Sequence, residues 1–240
     1  MSQSPSSSSP PDLGILGTGR MGVRLAAMFA RAGRRVVLGS RTPERAARIV
    51  DRLRAPGVTA GDYSQALTAP IVLPAVFIRD GLFDLLEAHG ADLAGKVMID
   101  ITNPFNEDYS GFIFPESTSG AEELQKRLPR VRVVGAFKNV WWEVFDAPHF
   151  DGVVSDVFVV GDDSRAKAAV FELAEGTPFR YIDGGALKNA RTIERMTLLM
   201  GEIGRRYNYH PRMNWRVLGE PWTPGSADKD GVDKLIERTG

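Results

Sequence analysis

Three closely spaced glycines near the start of the chain limit its fold more than any other feature. The stretch "ILGTGRMGVRL" begins at Ile15 and places Gly17, Gly19 and Gly22 between an apolar segment and an apolar helical repeat. Such glycines allow a tight turn, a close approach of backbone to a ligand, and close packing of helix on strand, respectively. A second apolar segment, "RRVVLGS", follows after about twenty residues, so the sequence predicts a strand–turn–helix–strand unit.

This unit predicts a dinucleotide site, because the amides that open the helix would face a pyrophosphate. The residues at the end of the second strand distinguish NAD from NADP. An acid there would bind the NAD ribose, whereas this chain has Ser40 and Arg41, which suit the 2′-phosphate of NADP. The alternative is that Arg41 is only a solvated residue at a helix start. The NADP contacts predicted in this segment are Gly17, Thr18, Gly19, Arg20, Met21, Gly22, Ser40 and Arg41.

Strands alternate with helices along most of the remaining chain, which predicts a Rossmann-like, doubly wound parallel sheet with a small C-terminal portion of strands and helices. Pro74 lies inside the apolar run "APIVLPAVF", so we expect that strand to be broken or at a sheet edge. We expect a disordered tail at 1–11, an NADP-binding domain at 12–150, a substrate or dimerisation portion at 151–218, and a mostly irregular tail at 219–240.

Composition excludes several kinds of function. The chain has no cysteine, which excludes disulfides and thiolate chemistry, and its three histidines are scattered, so no metal site is predicted. Its formal net charge is zero, which gives no reason to expect a nucleic-acid or membrane partner. No signal peptide or membrane-length apolar run is evident, so the sequence predicts a cytoplasmic protein with a small-molecule substrate.

Four segments carry a resemblance to a known family: the glycine segment with its G-S-R ending, "TSGAEELQKRLP", "DVFVVGDDSRAKAAVFELAE" and "YIDGGALKNARTIERMTLLM". They resemble the coenzyme F-420-dependent NADP oxidoreductases (F420 below) and also the reductase domain of the STEAP metalloreductases. The resemblance spans roughly Leu13 to Leu218. It implies a dimeric enzyme in which NADP exchanges hydride with a deazaflavin stacked on the nicotinamide.

The resemblance also implies where the nicotinamide lies. It would sit beside the loops that follow two strands, at Ala75, Val76 and Phe77, and at Thr102, Asn103 and Pro104. Loops at the carboxyl ends of strands are the usual ligand sites of open α/β sheets.

One segment departs from the family pattern and puts the electron acceptor in question. Related chains often read V-K-A-F-N-T where this one reads Val134 to Asn139, with a lysine at position 138. Lys138 is predicted either to contact an anionic ring or to donate a proton to a carbonyl or imine, and the alternative is a surface charge. The residues predicted to line the substrate cleft are Phe105, Phe137, Lys138, Asn139, Trp141 and Trp142.

The sequence leaves three functions open. The first is hydride transfer between NADPH and an F420-like deazaflavin; the second is reduction of a small carbonyl, an imine or free flavin. The third is a non-catalytic NADP sensor. Trp141 and Trp142 would form an aromatic wall in either enzyme, or else belong to the core or a dimer interface. Glu194, which has arginines on either side of it in the last helix, is predicted to make helix-surface ion pairs.

Overall fold

A six-stranded parallel sheet forms the centre of the molecule. The structure is a computed structural model and describes residues 10–219. The sheet has the order β3-β2-β1-β4-β5-β6, so the chain runs outward to one edge and then returns to fill the other half. Its strands are β1 (Leu13–Leu16), β2 (Val36–Gly39), β3 (Val58–Gly61), β4 (Ile71–Pro74), β5 (Val97–Asp100) and β6 (Arg132–Gly135). This order confirms the predicted Rossmann-like fold.

Helices cover both faces of this sheet, and a smaller group of elements follows β6. The helices are α1 (Arg20–Arg31), α2 (Pro43–Leu53), α3 (Tyr63–Ala66), α4 (Leu82–Ala88), α5 (Gly90–Leu93), α6 (Gly120–Arg127), α7 (Ser164–Ala174) and α8 (Ala190–Tyr207). Short 3₁₀ turns occur at Ile78–Asp80, Trp142–Phe145 and Leu187–Asn189. The later strands are β7 (His149–Phe150), β8 (Val153–Val154), β9 (Asp156–Val159) and β10 (Arg180–Asp183). No helix within residues 10–219 combines the length and apolarity needed to cross a bilayer.

The strand that contains Pro74 lies at the centre of the sheet, between β1 and β5. The prediction of a broken or edge strand is therefore wrong. Pro74 is the last residue of β4 and stands in register with Leu16. The next amide, that of Ala75, donates to the carbonyl of Leu16 over 2.8 Å. Pro74 thus lies where the hydrogen bonding between β1 and β4 ends. The chain there enters the loop at the carboxyl edge of the sheet, where the cofactor is predicted to bind.

The C-terminal elements share one core with the Rossmann sheet. Gly135 at the end of β6 and Val160 just after β9 form an antiparallel bridge with two backbone hydrogen bonds of 2.8 and 2.9 Å. Phe137 lies between the two parts, with ring centroids 6.0 Å from Phe29 of α1 and 6.4 Å from Phe179. The division at residue 150 into a cofactor portion and a substrate or dimerisation portion thus remains a functional prediction. The predicted tails lie almost wholly outside the described residues.

Candidate active site

The glycine turn between β1 and α1 is shaped by close backbone contacts. Gly17 has a φ of 121°, a conformation that side chains rarely allow. A Cβ on Gly22 would lie 2.1 Å from the carbonyl oxygen of Gly17. Only glycine at position 22 therefore lets α1 approach the turn this closely. At Gly19 the nearest atom to such a Cβ is the Ala75 oxygen, 3.9 Å away. The space over Gly19 is therefore open, as a pyrophosphate requires.

The start of α1 offers donors to this open space. The first amides of a helix have no acceptor within the helix. No side chain of the described residues caps α1, whereas Asp62, Ser119 and Asp163 cap the starts of α3, α6 and α7. The residues present at the turn therefore fit the phosphates of a dinucleotide.

Two arginines accompany the end of β2. Arg41 is exposed beside Tyr63; burial raises the pKa of the Tyr63 hydroxyl, and the Arg41 guanidinium partly opposes that shift. Arg45 donates from Nε to the hydroxyl of Thr18 over 3.0 Å and so joins α2 to the glycine turn. Ser40 is buried, and its hydroxyl accepts a hydrogen bond from the Thr42 amide over 3.1 Å. Arg45 was not predicted; it lies in the first turn of α2, four residues after Arg41.

The loops after β4 and β5 lie at the same edge of the sheet. Val76 packs on the glycine turn. Its Cγ2 atom lies 3.3 Å from the position that a Cβ atom on Gly17 would occupy. Asn103 donates from its side-chain amide to the backbone carbonyl of Lys138 over 2.8 Å. Its Oδ1 atom is buried and has no hydrogen-bond partner among residues 10–219. A buried acceptor without a donor is costly, so this position fits a hydrogen-bond donor from a bound nicotinamide or ribose.

Exposed aromatic side chains lie around Arg79, next to these loops. The Arg79 guanidinium lies 4.9 Å from the ring of Phe77 and 4.5 Å from that of Tyr109. It also donates to the Asn106 carbonyl over 2.9 Å, and the ring of Phe105 packs 5.4 Å from Tyr109. Phe77 and Tyr109 are each 41% exposed. Arg79 was not predicted; the only signal in the sequence is a cation shortly after the carboxyl end of a central strand.

The three residues after Ala136 do not line an open cleft. Phe137, Lys138 and Asn139 are all buried, with at most 1% of each exposed. Phe137 packs into the core, and the Asn139 side-chain amide donates to the Asp156 carbonyl over 2.8 Å. The predicted contact of these side chains with substrate therefore has no support in the structure.

Lys138 is enclosed with two carboxylates. Its Nζ atom lies 2.6 Å from Oδ2 of Asp100 and 2.8 Å from Oε1 of Glu194, and all three side chains are at most 1% exposed. Burial alone would lower the pKa of Lys138, but the two carboxylates outweigh it and raise that pKa, so the amine stays protonated. Burial raises the pKa of Glu194, although Lys138 opposes this. Lys138 is thus neither a surface charge nor an accessible proton donor, and Glu194 is not a helix-surface residue.

The two tryptophan rings pack against each other and against His210, and each also has a contact of its own. The Arg20 guanidinium lies 4.2 Å from the ring of Trp142, which places that ring beside the first turn of α1. The ring of Trp141 packs 4.7 Å from that of His210 and also against α8 at Gly201. Trp142 therefore lies next to the glycine turn, and Trp141 joins this segment to α8. No three metal-ligating side chains come together in residues 10–219.

Comparison with known proteins places this arrangement in a family. The family described as NADP oxidoreductase, coenzyme F420-dependent, matches residues 12–104. An F420-dependent NADP reductase of Methanocaldococcus jannaschii is 30% identical over 209 residues, which are 80% of this chain and 91% of that protein. The chain belongs to the F420-dependent NADP reductase family. It is therefore an NADP-dependent oxidoreductase.

Two further proteins are similar to this chain. Metalloreductase STEAP3 of Rattus norvegicus is 32% identical over 188 residues, but these are only 36% of its length, so the chain spans about a third of that relative. A crystal structure from Arthrobacter sp. FB24, described there as a candidate F420-dependent NADP reductase, has a TM-score of 0.76 and 24% identity. The match covers 87% of this chain and all of the other, and it shows that the two chains have the same fold.

Proposed function

We propose that this family member transfers hydride between NADPH and a deazaflavin of the F420 type. The proposal rests on one observation: an exposed aromatic surface lies beside the predicted nicotinamide position, while the predicted proton donor is enclosed. Phe77 and Tyr109 are each 41% exposed and, with the half-buried Phe105, offer aromatic surface on which a planar acceptor would stack. Lys138 is fully buried between two carboxylates and offers no proton to a ligand.

NADPH, when bound, supplies the hydride, and the acceptor takes one further proton from water. The chain's own residues bind and orient the two partners. The open turn at Gly19 and the α1 amides would hold the pyrophosphate, and Arg41 and Arg45 the 2′-phosphate. Ala75, Val76, Phe77, Asn103 and Pro104 would border the nicotinamide. Trp142 would limit the access of water to the cofactor at the glycine turn. The loop after β5, which contains Phe105, would limit it at the nicotinamide.

The alternative enzymatic function, reduction of a small carbonyl or imine, needs a proton at the nascent oxygen or nitrogen. The residue predicted to supply that proton is sealed within the protein, which supports the deazaflavin, because hydride transfer between stacked rings needs little help from a protein acid. Reduction of free flavin needs no such donor and stays an alternative. The homodimer and the cytoplasmic location implied by the sequence remain predictions.

An acceptor panel tests the proposal. Purified protein is mixed with NADPH and, separately, with F420, riboflavin, FMN, cyclic imines and simple ketones, and NADPH oxidation is followed by its absorbance. We expect rapid oxidation with F420 and at least tenfold slower oxidation with each other compound. Faster turnover of an imine, a ketone or a flavin would establish the alternative, and tight NADPH binding without turnover of any acceptor would indicate a sensor.

A further inference from the structure

Two residues of helix α8 contact Lys138, one at its side-chain amine and one at its backbone carbonyl. Glu194 and Thr197 lie about one turn apart on this helix. Oε1 of Glu194 accepts a hydrogen bond from Nζ of Lys138 over 2.8 Å, and the Thr197 hydroxyl donates to the Lys138 backbone carbonyl over 3.0 Å. The side chain and the main chain of Lys138 are thus fixed by one helix.

Lys138 in turn holds the segment around Asn103 from two sides. Its Nζ atom donates to the carbonyl of Thr102, which belongs to the peptide bond that precedes Asn103. Its own backbone carbonyl accepts the side-chain amide of Asn103 over 2.8 Å. The Asn103 side chain is therefore oriented with Nδ2 engaged and Oδ1 left without a partner among the described residues.

This network is a poor device for stability alone. Removing charges from water is costly, and replacing a buried ion pair by apolar side chains of similar volume is often neutral or stabilising. Here a lysine and two carboxylates are enclosed together at the carboxyl end of β5. What such a network gives is a fixed orientation of the groups it bonds, and those groups border the predicted nicotinamide position.

We propose that Lys138 is a positioning residue: held by Glu194 and Thr197, it fixes Asn103 so that Oδ1 accepts a hydrogen bond from the nicotinamide carboxamide. This inference rests on the NADP site described above, and it is independent of the acceptor. It places the determinant of nicotinamide orientation on α8, whose residues need not touch the cofactor. Thr197 and Asn103 then act through one shared group, the Lys138 carbonyl.

A double-mutant cycle on binding tests this coupling. The variants are Asn103→Ala, Thr197→Val and their combination, with Thr197→Ser retaining the hydroxyl. Dissociation constants are measured for NADPH and for adenosine 2′,5′-bisphosphate, which lacks the nicotinamide half. We expect Asn103→Ala and Thr197→Val each to weaken NADPH binding by roughly three- to tenfold, the effect of one hydrogen bond. The double variant should be no weaker than the stronger single, and Thr197→Ser should bind like wild type.

Controls separate this inference from the proposed site. Adenosine 2′,5′-bisphosphate should bind all the variants within about twofold, because it does not reach Asn103. Thr118→Val removes another buried threonine hydroxyl, one that bonds Glu123 instead, and should leave NADPH binding unchanged. Additive losses in the double variant, or equal losses for both ligands, would overturn the positioning role. Failure of wild type to bind adenosine 2′,5′-bisphosphate would instead refute the NADP site.

Discussion

Arg41 and Arg45 are the residues that would distinguish NADP from NAD. Arg41 lies between β2 and α2, and Arg45 reaches from α2 to the hydroxyl of Thr18. Both can donate several hydrogen bonds in a planar array, which suits a phosphate. A charge-assisted hydrogen bond contributes roughly 1.5–3 kcal/mol, so each arginine should favour NADP over NAD by about ten- to hundredfold.

Replacing these arginines should therefore separate the two nucleotides. We expect Arg41→Ala and Arg45→Ala each to weaken NADPH binding by roughly tenfold or more while NADH binding changes by less than about twofold. Titration calorimetry with both nucleotides measures this directly. Arg48→Ala serves as the matched control, since Arg48 is an exposed arginine of the same helix. Equal losses for NADPH and NADH would show that neither arginine binds the 2′-phosphate.

Single residues also show where sequence reasoning reaches its limit. Gly17, Gly19 and Gly22 could be assigned because their roles depend on local backbone geometry. Lys138 could not, because its environment depends on Glu194, a residue 56 positions away on α8. From the sequence alone, a lysine and a glutamate are each expected at the surface. Their burial is possible because they form an ion pair with each other. The candidate site was thus predictable at its phosphate end and only partly at its nicotinamide end.

At the level of elements, α1 and the turn before it form the most constrained unit. Gly22 lies so close to the turn that an added methyl group would overlap the Gly17 carbonyl, whereas Gly19 faces open space. The strand–turn–helix unit was predictable because its periodicity and its turn chemistry agree. The position of β4 was not, since Pro74 is unfavourable in a strand interior but harmless at a strand end, and a sequence pattern fixes strand ends poorly.

Two alanine substitutions in this unit should affect different properties, one the stability and the other NADPH binding. We expect Gly22→Ala to lower the free energy of unfolding by about 1–3 kcal/mol, because the turn must shift to admit a methyl group. Gly19→Ala should leave stability nearly unchanged and yet weaken NADPH binding by roughly tenfold or more, because its methyl group would lie where the pyrophosphate approaches. Urea unfolding and NADPH titration of both variants measure these effects. A destabilised Gly19→Ala with normal binding would contradict the assigned roles.

At the level of the whole molecule, Asp156 joins the last described segment to the β9–β10 pair. Both of its carboxylate oxygens accept hydrogen bonds of 2.7 Å from Arg180, and Oδ2 also accepts the Val217 amide over 2.7 Å. Arg216 lies 3.2 Å from the same carboxylate. Burial alone would raise the pKa of Asp156, but these donors outweigh it and lower that pKa. The C-terminal segment is therefore fastened by a group that must be ionised.

This arrangement predicts a stability difference that depends on pH. Because the pKa of Asp156 is lower in the folded protein, its contribution is complete above the unfolded value of about 4 and is lost as the pH falls through the folded value. We expect Asp156→Asn to lower the free energy of unfolding by about 2–3 kcal/mol at pH 7, a partly exposed pair being weaker than a fully buried one. Below pH ~3 the difference should shrink.

Thermal unfolding of wild type and variant between pH 3 and pH 8 tests that prediction. Asp51→Asn, at an exposed position on α2, provides a control that should follow wild type throughout. A deficit of constant size across the whole range would mean that the Asp156 charge is not the stabilising feature.

The stacking of Arg20 on Trp142 has a consequence for how the cofactor's negative charge is balanced. Arg20 is engaged with the indole, and Arg24, one turn later, pairs with Asp146 over 2.7 Å. The diphosphate bridge would then depend on the backbone amides of α1 and not on the charges of Arg20 and Arg24, while Arg41 and Arg45 would serve the 2′-phosphate. Because added salt screens exposed ionic charges, the preference for NADP over NAD should decrease as the ionic strength rises. Binding of the pyrophosphate by the backbone amides should change much less.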